Sequence, residues 1–317
     1  MTTIGEIGED ALIALFAPRL PTSDSTLLGP GDDAAVLAVD GDLVVSSDVL
    51  IEGRHFRRDW SSGADVGWRA AVQNLADIDA MGAVPIALQI TLAAPGDLDV
   101  DWVLDLADGL RDACSPHGVG VVGGDLSGAR EISISVTALG ETHGTDPVTR
   151  AEAGVGDVVA VSGRLGAAAA GYALLAAGVG GGGGDGGGAV ELFRRPQPRI
   201  GAGLEAALRG ATAMMDISDG LLRDASRIAR ASEVGIAVDS SLVPVHSAAV
   251  AAAGRLGVDA LRWALTGGED HHLLAAFARA ESVPEGWAVV GCVTDEYQGV
   301  RCDGEIPREL GWDHFGA

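Results

Sequence analysis

The chain has 317 residues, 47% of them hydrophobic, with 45 acidic against 21 basic residues and a formal net charge of −24 at pH 7. That much apolar material fills two domains of ordinary size, and the charge excludes nucleic acid and anionic membranes as partners. Every basic residue is Arg and none is Lys, which rules out a Walker-type phosphate loop, a protein-kinase strand lysine and Schiff-base catalysis.

Along the chain, the segment from Met1 to Glu6 has neither the basic start nor the apolar centre of a signal peptide. Leu12, Ile13 and Phe16 give Glu9 to Phe16 a helical spacing. Ala34 to Val39 and Leu43 to Ser47 read as two strands joined by the Asp40-Gly41 turn. Asp65 to Met81 predicts a helix with Val66, Ala70, Val72, Leu75 and Ile78 available for one face. A strand from Ile86 to Leu92 follows Pro85, and a helix from Val100 to Cys114 turns Trp102, Val103, Leu106 and Leu110 inward. Strands at Val119 to Val122 and Ile132 to Leu139 complete the first half.

Pro147, Gly154 and Gly156 interrupt the pattern and divide a domain of residues 1–148 from one of 149–317. The second half opens with a strand at Val158 to Ser162 and an Ala-rich helix. The uncharged stretch from Leu165 to Gly184 is Ala and Gly rather than Leu, Ile or Val, so it is not expected to span a membrane. Gly178 to Gly188 is glycine broken only by Val179 and Asp185. It reads as a surface loop, because a phosphate cradle needs few glycines at fixed positions between a strand and a helix. Helices are expected at Arg199 to Leu208 and Gly220 to Ala231, and strands near Gly235 to Val238, His272 to Ala276, Ala288 to Val293 and Gly299 to Cys302. Such alternation predicts an α/β or α+β sandwich. Cys114, Cys292 and Cys302 include no C-x-x-C pair and fit reduced thiols in a cytoplasmic protein.

Five acidic motifs punctuate this framework: Gly31-Asp32-Asp33-Ala34-Ala35, Ser46-Ser47-Asp48, Asn74-Leu75-Ala76-Asp77-Ile78-Asp79, Gly123-Gly124-Asp125-Leu126-Ser127 and Asp216-Ile217-Ser218-Asp219-Gly220. Most fall where a hydrophobic run breaks into a turn. Taken singly, each is an ordinary acidic turn, and Asp219 also fits the N-cap of a following helix. Taken together, carboxylates that converge repel one another unless cations lie between them. Oxygen-only ligands suit hard ions such as Mg²⁺, and clustered Mg²⁺ points to phosphate chemistry. His55 lies among Arg54, Arg57 and Arg58, a setting for an anionic ligand. Gly267-Gly268-Glu269-Asp270 reads as a further ligand-facing turn, while adjacent His271 and His272 would point to opposite faces of a strand and not share a metal.

The ordered set resembles the thiamine-monophosphate kinase family, within the superfamily that includes aminoimidazole ribonucleotide synthetase. Besides the five acidic motifs it includes Glu52-Gly53-Arg54-His55-Phe56, Met81-Gly82-Ala83, Thr149-Arg150, Gly267-Gly268-Glu269-Asp270 and the terminal Gly311-Trp312-Asp313-His314-Phe315. The resemblance implies ATP-dependent phosphorylation of thiamine monophosphate to thiamine diphosphate. By it, Asp33, Ser46, Ser47, Asp48, Asp77, Asp125, Asp216 and Asp219 would hold several Mg²⁺ ions; Gly124, Asp125, Arg150 and Ser218 would lie at ATP; and His55, Glu269 and Trp312 would meet the substrate. It also implies a homodimer whose N-terminal sheets join into a barrel, with a C-terminal α/β sandwich. Leu126 departs from the Thr that often follows the Gly-Gly-Asp motif. Related selenophosphate synthetases need an N-terminal reactive Cys or selenocysteine with a Lys, and hydrogenase-maturation relatives a C-terminal Cys; this chain has neither. The alternatives are another ATP-using enzyme of the superfamily or a non-catalytic nucleotide-binding regulator.

Overall fold

The computed structural model describes residues 1–31, 33–179 and 188–313. Asp32 of the first acidic motif, residues 180–187 of the glycine run, and His314 and Phe315 of the terminal motif lie outside the described residues. Contacts divide the chain into two compact units, Met1–Ile78 with Ala83–Thr145, and Asp79–Gly82 with Asp146–Ala317.

The first unit opens with α1 (Ile4–Ile7) and α2 (Glu9–Phe16), then β1 (Thr26–Leu28) and β2 (Val36–Leu37). It continues with β3 (Leu43–Ile51), α3 (Gly63–Asp79), β4 (Val84–Ala94), α4 (Val100–Cys114), β5 (Gly120–Gly128) and β6 (Ser133–Glu141). β3, β6, β4 and β5 form one sheet in that order, antiparallel except for the parallel pair β4–β5. α3 lies on one face of it, with Val66, Ala70, Val72, Leu75 and Ile78 all buried as their spacing predicts. The two long helices meet backbone to backbone: a Cβ at Gly67 would stand 2.1 Å from the Leu106 carbonyl oxygen, and one at Gly109 2.0 Å from that of Ala64.

Two expectations fail here. The strands flanking Asp40-Gly41 do not form a hairpin, because β2 pairs with β1 while β3 is bonded along its whole length to β6. Nor does β5 stop at Val122. It runs on through Gly123, Gly124 and Asp125, since β4 offers a parallel ladder as far as Ala94.

The second unit contains β7 (Val158–Val161), α5 (Ala167–Ala176), α6 (Ala189–Arg194), α7 (Ala202–Leu208), β8 (Ala211–Asp216) and α8 (Leu221–Ala231). β9 (Gly235–Val238), α9 (Ser247–Leu256), α10 (Ala260–Thr266), β10 (Leu273–Phe277), β11 (Ala288–Thr294) and β12 (Gly299–Cys302) follow. Its six-stranded sheet has the order β12-β9-β11-β7-β10-β8. Strand alternation feeds two cores. Val159, Val161, Ala213, Met215 and Leu274 join one with α8, and Ala160, Met214, Leu273, Ala275 and Phe277 join another with α7. α6, β8, α9 and α10 are additions to the expected elements; α9 (SAAVAAAGRL) has too few large apolar residues to show a period.

Candidate functional site

In the first unit the predicted ligands other than Asp33 sit on regular elements, not turns. Ser46, Ser47 and Asp48 are mid-strand in β3, a register enforced by pairing with Ala138, Thr137 and Val136. Alternation splits them. Ser46 and Asp48 face α3, where the Ser46 hydroxyl donates to Asp77 Oδ2 at 2.7 Å and Gln73 Nε2 donates to Asp48 Oδ2 at 3.2 Å. Ser47 belongs to the opposite face, and its hydroxyl donates to the Val136 carbonyl at 2.9 Å. Asp125, exposed and opposite Thr91, shares the Ser47 face through the row Val49, Ser135, Thr91, Asp125. The structure therefore brings Ser46, Asp48 and Asp77 together and sets Ser47 and Asp125 apart from them. Asp33 is exposed in the bend before β2.

The glycine before Asp125 is bare for a packing reason: a Cβ at Gly124 would stand 1.8 Å from the Ile90 carbonyl oxygen. Half-buried His55 accepts the Ile51 N–H at Nδ1, 2.9 Å away, so its Nε2 carries the proton. Of the basic residues around it, Arg57 is paired with Asp59 and Arg58 with Glu52.

In the second unit β8 delivers Asp216 into a turn that α8 follows. Its N-cap is Gly220, with no side-chain capping bond, so Asp219 is not an N-cap. The Asp219 N–H instead donates to Asp224 Oδ2 at 3.1 Å, and Arg227 bridges Asp219 Oδ2 and Asp224 Oδ1. Two segments close on this turn through three backbone bonds. Glu269 N–H donates to the Ser218 carbonyl at 2.9 Å, His271 N–H to that of Ile217 at 3.1 Å, and Trp312 N–H to that of Asp219 at 2.9 Å. The approach requires glycine beside it: a Cβ at Gly268 would lie 2.0 Å from the Ser218 oxygen, and one at Gly311 2.1 Å from that of Asp219. Glu269 and His271 hold φ of +71° and +54°, a conformation that costs a non-glycine residue about 1 kcal/mol or more and gathers at functional sites. Ser218, Asp219, Glu269 and Trp312 are thus assembled around one turn. Trp312 remains 59% exposed. Arg150 contributes its carbonyl to Ser232 Oγ, and its side chain is exposed.

The electrostatics of this turn depend on residues that sequence reasoning did not single out. Burial would lower the His271 pKa, but Asp216 and Glu269 outweigh it and raise it to about 10, making the ring a cation between two carboxylates. Nδ1 is 3.3 Å from Asp216 Oδ2; Nε2, at 3.8 Å from Glu269 Oε2, is at ion-pair distance without a hydrogen bond. Burial, and then the Asp216 charge, push Asp224 up to about 7. His272 faces elsewhere, against Gly163, and burial followed by the His271 charge lowers it to about 4. The two rings thus lie in different environments, and both precede β10 rather than standing on it. Asp224 and Arg227 show in sequence only as an i, i+3 pair on a helix, indistinguishable from a surface ion pair until burial is known.

Among the described residues no three His, Cys, Asp or Glu side chains are gathered as a ready metal site. The donor chemistry nevertheless fits Mg²⁺. Ser46, Asp48 and Asp77 offer only oxygen, as do Asp216 and Asp219, and no thiol or unprotonated imidazole competes within either set.

Family models for the AIR synthase related protein match this chain, the N-terminal domain over residues 31–142 and the C-terminal domain over 154–302. A thiamine-monophosphate kinase of Mycobacterium tuberculosis is 43% identical over 320 aligned residues, covering 99% of this chain and 93% of the relative. One from Aquifex aeolicus is 35% identical, covering 98% and 99%. Among solved structures, AaThiL complexed with AMPPCP and TMP superposes with a TM-score of 0.81 at 35% identity, covering 98% of both chains. Thiamine-monophosphate kinase from Stenotrophomonas maltophilia K279a gives 0.79 at 34% identity, covering 93% and 95%.

Proposed function

Because the chain belongs to the thiamine-monophosphate kinase family of AIR synthase related proteins, we propose that its two sets of carboxylates serve one Mg²⁺-dependent, in-line phosphoryl transfer. The enzyme is an ATP-dependent kinase that phosphorylates thiamine monophosphate. In the proposed division of labour, residues 1–148 supply Asp33, Ser46, Ser47, Asp48, Asp77 and Asp125 for metal, Gly124 and Asp125 for ATP, and His55 for the acceptor. Residues 149–317 supply Asp216 and Asp219 for metal, Arg150 and Ser218 for ATP, and Glu269 and Trp312 for the acceptor. The observation that supports the reading is the docking of the Glu269 and Trp312 segments on the Asp216–Gly220 turn, so that the groups proposed for the acceptor lie beside those proposed for metal.

Mg²⁺ would supply the positive charge that lets two anions approach, a task other enzymes assign to Lys. The chain's own residues then orient and exclude. His55 presents Nε2–H as a donor to an anionic acceptor, and the exposed Arg150 guanidinium offers a planar fork for a phosphate. No general base is required, since a phosphate oxygen is already ionised at neutral pH. No phosphoenzyme is required either, because a carboxylate committed to metal is a poor nucleophile.

A homodimer is part of the same reading. β3 is a sheet edge, and its Leu43, Val45 and Val49 are 50, 56 and 42% exposed on the face away from α3, an apolar strip that a second copy would cover. Three free cysteines, and the absence among the described residues of a helix long and apolar enough to cross a membrane, support a cytoplasmic setting. The test is incubation with γ-labelled ATP. Label should reach thiamine diphosphate only when thiamine monophosphate and Mg²⁺ are both present, and never the quenched protein. Full turnover in excess chelator, or stoichiometric label on the chain that chases into product, overturns the mechanism.

A further inference from the structure

Asp219 already has a cation. Arg227, one turn beyond Asp224 on α8, donates from Nη2 to Asp219 Oδ2 and from Nη1 to Asp224 Oδ1. The Asp224 side chain is fully buried and that of Asp219 is 11% exposed, so the guanidinium is held where water screens little. Asp224 is tied in turn to the Asp219 backbone N–H. The two carboxylates and the guanidinium thus form a closed set in which Arg227 is bound twice, once to an oxygen proposed for metal and once to a residue with no such role.

We propose that Arg227 is a built-in stand-in for the metal. It holds Asp219 and Asp224 together in the metal-free chain, competes with Mg²⁺ for the Asp219 carboxylate, and on metal binding retreats to Asp224 alone. This rests on the reading of Asp219 as a metal ligand. Two features favour competition over simple orientation of the ligand. The contact uses a carboxylate oxygen of Asp219 itself, and the second anchor on Asp224 gives Arg227 a place to go without leaving a buried charge unpaired. The consequence is attenuated affinity. A unit positive charge beside a divalent site weakens binding by about tenfold even in a water-like dielectric.

The experiment compares wild type, Arg227→Met, Arg227→Lys and Asp219→Asn, using Mn²⁺ as the probe, read by electron paramagnetic resonance and by the metal-induced rise in Tm. Arg227→Met should bind Mn²⁺ about tenfold more tightly than wild type. It should also melt lower without metal and gain more on adding it. Arg227→Lys, which keeps the charge, should stay near wild-type affinity. Unchanged or weaker Mn²⁺ binding by Arg227→Met, with Asp219→Asn clearly impaired, overturns the proposal while sparing the ligand reading; unimpaired Asp219→Asn sinks the ligand reading itself. If Arg227→Met does not fold, a wild-type structure with Mn²⁺ decides: Arg227 should be bonded to Asp224 and no longer to Asp219, and a retained Asp219 contact beside bound metal overturns the proposal.

Discussion

In the first unit the Ser46 hydroxyl donates to Asp77 and the Gln73 amide to Asp48, and Asp48 and Asp125 are exposed. In the second, Asp216, Asp219 and Asp224 are buried, with Arg227 and His271 set against them. Water and dipoles stabilise a carboxylate where the dielectric is high; a buried one needs a counter-charge, backbone donors or a raised pKa. On the proposed reading, the second set exchanges one cation for another when metal binds.

The largest effects should come from removing one acid of each kind. Asp125→Asn and Asp219→Asn each should lower kcat by about 10² to 10³, the usual loss for one electrostatic contact to a transition state. They should differ in stability. Asp125 is exposed at a strand position and its variant should melt near wild type, while Asp219→Asn leaves Arg227 without one of its two carboxylates and should melt lower. Steady-state kinetics and thermal melts check both; near-wild-type turnover for either variant removes that residue from the site, and equal melting erases the contrast between the regions.

A smaller effect concerns an acid that is buried for purely structural reasons. Asp270 accepts the Gly166 N–H at 2.5 Å and the Ala168 N–H at 2.9 Å, closing the start of α5. Burial raises its carboxyl from 3.8 to about 6, against the pull of those backbone donors. The folded state therefore binds the proton more tightly than the unfolded one, and this carboxyl's contribution to stability falls as pH rises from about 4 to about 6 and is level above that. Asp270→Ala leaves two buried donors unsatisfied and should cost about 1 to 3 kcal/mol. Its deficit against wild type should be larger at about pH 4 than above about pH 7. Denaturant unfolding at the two pH values measures this, and a deficit that grows with pH contradicts it.

Much of the frame was legible in the sequence because it rests on local periodicity. α2 and α4 match their expected bounds, as do β9 and β12, and the inward face of α3 follows from its spacing alone. What was not legible depends on partners distant in the chain. The strand expected at Leu43 to Ser47 runs on through Asp48 to Ile51, because it pairs with β6 some 90 residues away. The extension of β5 through two glycines likewise reflects the ladder on β4. The acidic motifs were visible as motifs, and their residue chemistry carried the family resemblance. Their counter-charges were not, because Arg227 and His271 acquire their roles only through burial. The backbone bond that brings Trp312 to Asp219 was equally invisible, since nothing in Gly311-Trp312 marks its acceptor.

The smallest effect should come from the glycine run. Its described flanks are already satisfied: Val179 N–H donates to the Leu174 carbonyl at the end of α5, and Leu192 N–H to that of Gly188 at the start of α6. α5 and α6 are packed through Gly171, where a Cβ would stand 2.1 Å from the Ala189 carbonyl oxygen. The two helices thus hold their own register, and of residues 180–187 only Asp185 has a side chain, an anion that would repel phosphate. Removing four of them, Gly181 to Gly184, roughly halves the segment, and loop-closure entropy changes by only about 0.6 kcal/mol for a factor of two in length. The shortened protein should therefore match wild type in KM for ATP and shift in Tm by no more than a few degrees. This sharpens the comparison between the two acid-bearing regions, because it leaves phosphate recognition to metal, Arg and backbone groups at those regions. A large rise in KM for ATP with the melt unchanged would mean that the glycine run binds phosphate, and the carboxylate sets would then have to share that task with it.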